Sequence, residues 1–278
     1  MAILDQQLLP ARRHVAKWNW RSLLLFEAIV CIISLLFSIA GSVSPQIVVT
    51  VPARGGLSLG SNTVLFLLSS FVPGVALLLA SKECRSATFR LRASIGVYAA
   101  ALLIGFALPF SSYLGARFAY PLWNSSTLPT LTRVFLINLL LSPLWEEIIW
   151  RAYFYPKVNS MLRGAPAIVV AALGSTVWHA GFLFHLYHSG IRATILMVLV
   201  VQLFLGGIIF CSFFTLGRNS LAPCVLLHTA FNASTVAYFG SYNRVNDIGS
   251  YIAETAFTLI VATIVFRMAL RPAPPVVS

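Results

Sequence analysis

Charge is what this chain has least of. Charged residues make up 9% of its 278 positions, and Asp and Glu together number 7, where soluble domains carry about 25% charged residues. A water-soluble surface cannot be built from so few. Intrinsic disorder, which needs many charges and few apolar residues, is excluded by the same shortage. Cysteine is sparse as well: Cys31, Cys84, Cys211 and Cys224 show no CxxC spacing, so free thiols packing as small hydrophobes are expected, and no metal cluster. The HExxH signature of zinc proteases is absent. Internal repeats and linkers long enough to separate domains are also lacking, so residues 1–278 read as a single integral-membrane domain.

Apolar residues fill the place of the missing charge. They account for 59% of the chain, with a mean hydropathy of +0.87. Crossing about 30 Å of hydrocarbon takes roughly 17 to 25 helical residues. Eight apolar runs meet that length, at about 22–42, 63–81, 93–115, 131–155, 165–188, 193–216, 221–240 and 250–268. They are continuously apolar, whereas barrel strands alternate and are about half as long. The fold class is therefore all-α: a polytopic bundle of about eight transmembrane helices. The first run, with its basic approach, is read as a span and not as a cleaved signal peptide, because it is long and carries Glu27.

The net charge of +12 does not indicate a nucleic-acid partner, because the Lys and Arg residues are scattered in small groups between apolar runs. Their distribution instead orients the bundle. With Arg151 set aside, 13 of them flank the amino terminus and the alternate loops, among them Arg12, Arg13, Lys17, Lys82, Arg163 and Arg271, against 5 on the opposite side, including Arg117 and Arg192. By the positive-inside rule both termini are expected in the cytoplasm. The lipid bilayer is thus the first partner, at the plasma membrane for a prokaryotic chain. The basic amino terminus is read as orienting and contacting anionic lipid. Asn124-Ser125-Ser126 forms a glycosylation sequon that only a eukaryotic secretory route would use.

A charge near the bilayer centre costs about 2.5 to 3.5 kcal/mol, so each one inside a span needs a reason. Glu146 and Glu147 stand together within Ser142-Pro143-Leu144-Trp145-Glu146-Glu147-Ile148-Ile149-Trp150-Arg151. On a helix Glu147 lies one turn before Arg151, the favourable order for an ion pair. Glu146 faces another direction, in line with Asn138 and Ser142. An acid beside a like charge in a poorly hydrated site suits a group that takes up a proton during a reaction, a general base. Pro143 loosens the helix just before the pair. His228 and Asn232 share a face of the seventh run, and His179 stands in the fifth. A buried ion-pair cluster that fixes packing, or a proton relay in a transporter, would use the same residue types. Glu27 and Glu254, near span ends, are expected to reach for the interface.

Taken together, Glu146-Glu147-Ile148-Ile149-Trp150-Arg151, the histidine of the next span and His228-Thr229-Ala230-Phe231-Asn232 resemble the EExxxR, histidine and HxxxN motifs of the CPBP (CAAX protease and bacteriocin-processing, or Abi) intramembrane endopeptidases. The resemblance spans about residues 130–240. It implies that Glu146 activates a water with His179 assisting, that His228 and Asn232 hold the oxyanion, and that Glu147 and Arg151 support them. It implies a peptide or protein substrate at the membrane, with a prenylated tail or a leader peptide, and no cofactor. The family's usual second motif is FxxxH, which Phe184 to His188 fits literally. His179 is preferred because His188 falls at the outer end of its span. Straight helices would leave Glu146 and His179 about 10 Å apart in height, a gap that tilt or a kink must close. Two other readings use the same residues: zinc held by two His and a Glu, and a non-catalytic transporter, immunity or scaffold protein.

Overall fold

The computed structural model describes residues 20–43, 49–51, 57–59, 61–115, 127–140, 142–188, 190–239 and 248–271. Apart from one small hairpin these residues form helices. α1 (Trp20–Val43) leads to strands β1 (Val49–Val51) and β2 (Leu57–Leu59), paired antiparallel with Val49 opposite Leu59. α2 (Ser61–Ala80), α3 (Lys82–Phe89), α4 (Ile95–Gly115) and α5 (Thr127–Leu140) follow. α6 (Ser142–Glu147) runs into a π-helical stretch, Ile148–Phe154, and then α7 (Tyr155–Leu162). The chain continues as α8 (Ala165–Trp178), α9 (Ala180–His188), α10 (Ala193–Leu216), α11 (Ala222–Phe239) and α12 (Ile248–Ala269). The amino-terminal basic residues Arg12, Arg13 and Lys17, Arg117, the sequon at Asn124 and the proline-rich tail lie outside the described residues.

Among the described residues, 6 helical stretches are long and apolar enough to cross a membrane: Trp20–Ala40, Ile95–Ser112, Thr127–Leu162, Ala165–His188, Ala193–Leu216 and Ile248–Ala269. The other two expected spans are helices as well, α2 and α11, but fall outside these six. Large apolar side chains such as Leu25, Ile32, Leu103, Leu136 and Ile260 point outward. On a soluble protein they would form adhesive patches, but against acyl chains they are the solvated surface.

Lipid is as apolar as leucine, so helices in a bilayer gain little by hiding hydrophobic faces and associate through close backbone packing. α11 packs against α4 and α5, α10 against α8 and α12, and α1 against α2 and α9. The approach is closest at small residues. A Cβ on Gly105 of α4 would lie 2.5 Å from the Leu227 carbonyl oxygen, and one on Gly207 of α10 would lie 2.8 Å from Ala172 Cα. The polar α3 closes one end of the bundle. Ser81 Oγ caps it by accepting from the Cys84 N–H at 3.2 Å. Arg85 Nη1 donates to the Leu78 and Leu79 carbonyls at 3.1 and 2.6 Å, satisfying the carboxyl end of α2. The Leu221 N–H reaches the Ala87 carbonyl at 3.1 Å and ties α3 to the turn before α11. The four cysteines are free thiols, three of them buried.

Candidate active site

The acid pair sits where one helical geometry gives way to another. Ser142 and Pro143 open α6, Glu146 and Glu147 end it, and the next 7 residues widen into π-helix. Such widened turns within α-helices occur frequently at functional sites. Regular helix is thus interrupted on both sides of the pair: α5 ends at Leu140 and α6 opens at Ser142 and Pro143, as the proline implied, and the π-helical stretch follows Glu147. Glu146 is 4% exposed and Glu147 0%. Ser142 Oγ donates to Glu146 Oε1, joining the two as the helical register implied. Asn138, expected in the same stripe, is on α5 and donates to the Val134 carbonyl at 3.0 Å.

Glu147 is held from two sides. Arg151 Nε lies 3.2 Å from Glu147 Oε2, an ion pair whose alignment falls short of a hydrogen bond. His228 Nδ1, from α11, lies 2.9 Å from Glu147 Oε1. The guanidinium carbon of Arg151 stands 4.7 Å from the centroid of the Phe210 ring, and that ring's centroid is 5.0 Å from the imidazole of His228. A carboxylate only accepts here, so Nδ1 of His228 carries a proton.

His179 occupies the break between α8 and α9. Its N–H turns back to the Thr176 carbonyl at 3.1 Å, and its Nδ1 donates to the Ser175 carbonyl at 2.6 Å. The carbonyl of the preceding Trp178 accepts from Ser34 Oγ of α1 at 3.1 Å. The Trp178 ring meets the imidazole edge-on at 4.7 Å. His188, the literal FxxxH match, is exposed at the end of α9, with its ring 4.3 Å from that of Phe184.

Glu146, His179, His228 and Asn232 all line one cavity of about 430 Å³, together with Glu147 and Arg151. His188 does not. Glu146 is within electrostatic reach of His228, Glu147 and Arg151, and His179 within reach of His228. Glu146 and His179 thus reach the same cavity from a chain interrupted near both, by the π-helical stretch after Glu147 and by the break at His179. Among the described residues no three His, Cys, Asp or Glu side chains form a group that could hold a metal ion.

Other polar groups share this cavity. Gln202 of α10 donates to the Tyr251 carbonyl at 3.1 Å, and both line the cavity along with Ser175, Thr235 and Thr258. Glu254 lines it too and is 2% exposed, so the expectation that it reaches for the outer interface is corrected. α10 is apolar over most of its surface, whereas Ser250, Glu254 and Thr258, four residues apart on α12, mark one buried face. Glu27 also departs from expectation. Its Oε1 accepts from Cys31 Sγ at 3.5 Å and its Oε2 sits against Gly174 of α8, 3.1 Å from where a Cβ there would stand.

Residues 128–234 match the family model for type II CAAX prenyl endopeptidase Rce1-like proteins. The chain carries an Rce1-like domain. No curated protein matches the chain. The matched segment is under half of the sequence and runs from α5 into α11, so it contains both glutamates, His179, His228 and Asn232. Rce1-like proteins are proteases of the CPBP family, and their substrates are membrane-associated peptides or proteins. The apolar helices and the Rce1-like domain together make this a multi-pass integral membrane protein. α1 to α4 and α12 lie outside the match. They nonetheless supply Ser34 behind His179, and Leu108 and Glu254 to the cavity.

Proposed function

We propose that the protein is an intramembrane endopeptidase that hydrolyses a peptide bond of a membrane-associated substrate, a prenylated tail or a leader peptide, with water activated by Glu146. The Glu146 carboxylate accepts a proton from water as its oxygen attacks the scissile carbonyl, and Ser142 holds one carboxylate oxygen still. His179, whose Nδ1 is committed to the Ser175 carbonyl, offers Nε2 as an acceptor to the same water. The carbonyl oxygen becomes an oxyanion, stabilised by the Asn232 amide and by Nε2–H of His228 when Glu147 holds that ring as an imidazolium. Collapse breaks the C–N bond, and the proton taken by Glu146 passes to the leaving amine. No covalent acyl intermediate forms. Losing one oxyanion donor of this kind typically costs about 2.7 to 4 kcal/mol.

The observation that carries this reading is the convergence of Glu146, His179, His228 and Asn232, from three separate stretches of chain, on one cavity. In this reading α2 and α11 also cross the bilayer, giving eight spans with both termini cytoplasmic, and the mechanism uses no metal. The test is cleavage of membrane-anchored peptides by purified protein in liposomes. Glu146→Gln abolishes cleavage, and an excess of chelator leaves the wild type unchanged. Cleavage that survives Glu146→Gln overturns the assignment, and chelator-sensitive activity restored by zinc replaces it with the metal mechanism.

A further inference from the structure

α10 carries two adjacent glycines that differ in their surroundings. Gly207 is explained by packing: a Cβ there would lie 2.8 Å from Ala172 Cα and 3.0 Å from Ser175 Oγ, so only glycine lets α10 lie on α8. Gly206 has no such reason. A Cβ at Gly206 would meet a single atom, Phe210 Cε2, at 4.0 Å, an ordinary contact. Glycine in a helix interior lowers helix stability relative to alanine, so one with open space before it calls for another explanation.

The space before Gly206 is the cavity. Gly206 lines it along with Leu199, Leu203 and Phe210, and spacings of three, four and seven residues put them on one face of α10. Phe210, the nearest neighbour, is the ring that packs against the imidazole of His228 and the guanidinium of Arg151. The missing side chain therefore leaves room one turn from the catalytic cluster, between apolar walls.

We infer that Gly206 is a specificity-determining residue: the space it leaves is a subsite that receives a large apolar side chain, aromatic or branched aliphatic, next to the scissile bond. This rests on the endopeptidase reading and assigns side-chain selection at that site to one residue. A side chain at 206 would occupy the volume that the substrate residue fills, so enlarging it narrows the choice of substrate and leaves the chemistry in place.

The experiment reconstitutes the full chain in liposomes with a randomised peptide pool anchored by a prenyl group, and reads cut sites by mass spectrometry. Wild-type protein enriches Leu, Ile or Phe at one position flanking the cut. Gly206→Ala shifts that position toward Ala and Ser. Gly206→Leu lowers kcat/KM about 10- to 100-fold for Phe or Leu peptides and much less for Ala peptides. Gly206→Ala also keeps or raises the thermal midpoint, because it replaces glycine within a helix without a clash. An unchanged cut-site profile in both variants overturns the subsite, as does an equal loss across all peptides in folded protein. Glu146→Gln is run alongside. If wild-type cuts depend on Glu146 while the profile ignores residue 206, only the subsite fails; if no cut depends on Glu146, the protease reading fails and the subsite falls with it.

Discussion

Glu146 and Glu147 are neighbours in sequence, equally hidden, and held in unlike ways. Glu146 has a neutral partner, Ser142, whereas Glu147 neutralises the buried Arg151 and also binds His228. Their amide variants should therefore separate stability from activity. Gln at 146 keeps an oxygen for the Ser142 hydroxyl and leaves no charge stranded, so the midpoint of thermal unfolding in detergent stays close to wild type while cleavage is lost. Gln at 147 leaves the Arg151 guanidinium buried without its counter-charge, and breaking a buried pair in this way costs about 3 to 5 kcal/mol. A sharp drop in midpoint is expected for Glu147→Gln, with a loss of activity that follows the unfolding. Equal midpoints for the two variants would contradict the division of roles. The ion pair to Arg151 was legible in the sequence because it is local, one helical turn in length. The bond to His228 was not, because it joins residues 81 apart on different helices, and no periodicity within either helix encodes it.

Two interruptions of regular helix border the cavity, and each was only half visible in the chain. Pro143 marked the break at which α6 opens, but the widening falls in Ile148–Phe154, a stretch with no glycine or proline to announce it, in which Trp150, Arg151 and Phe154 are buried. Residues 165–188 read as one continuous span, and they do form one membrane-length stretch. The turn at His179 inside it leaves no trace in composition, because the carbonyl it frees is satisfied from α1 by Ser34. α1 can come this near because Gly181 has no side chain: a Cβ there would lie 2.6 Å from Ser38 Oγ and 3.0 Å from the Ser34 carbonyl oxygen. Gly181→Ala should thus cost about 1 to 3 kcal/mol through overpacking, and reduce cleavage by displacing α1 from the break that holds His179. Adding Ser38→Ala removes the nearer of the two clashes and leaves the backbone one, so the double variant should recover part of the midpoint and part of the activity. Full recovery, or none, would show that α1 does not brace the break. The contrast with Gly206→Ala is direct, since the same chemical change there meets no backbone and should not destabilise.

At the scale of the whole molecule, the sequence disclosed the long apolar stretches, the motif residues and a charge asymmetry, because each is written locally. It disclosed little of the inward face of α10, since a helix that meets lipid on one side and protein on the other is apolar nearly all round. Gly206 and Gln202 were missed for that reason, whereas Glu254 stood out as a charge within an apolar run and was misplaced at the interface because it lies near the span's end. Orientation is the part of the architecture that rests on charge alone, and it decides from which side a substrate is presented. α8 and α9 together run from Ala165 to His188, 24 residues, or about 36 Å of helix, enough to cross about 30 Å of hydrocarbon. Arg163, before this stretch, and Arg192, after it, are both exposed and should face opposite compartments. The charge count puts Arg163 in the cytoplasm. Native thiols interfere little, since Cys84, Cys211 and Cys224 are buried and Cys31 is half-buried. In a Cys31→Ser background, a cysteine replacing Arg163 should react with a membrane-impermeant maleimide only in inside-out vesicles, and one replacing Arg192 only in right-side-out vesicles. Reaction of both from the same side would mean that the α8–α9 stretch does not cross the membrane. The reverse pattern would keep the bundle but turn it over, so that His179, fourteen residues and about 21 Å beyond Ala165, would lie nearer the cytoplasmic face.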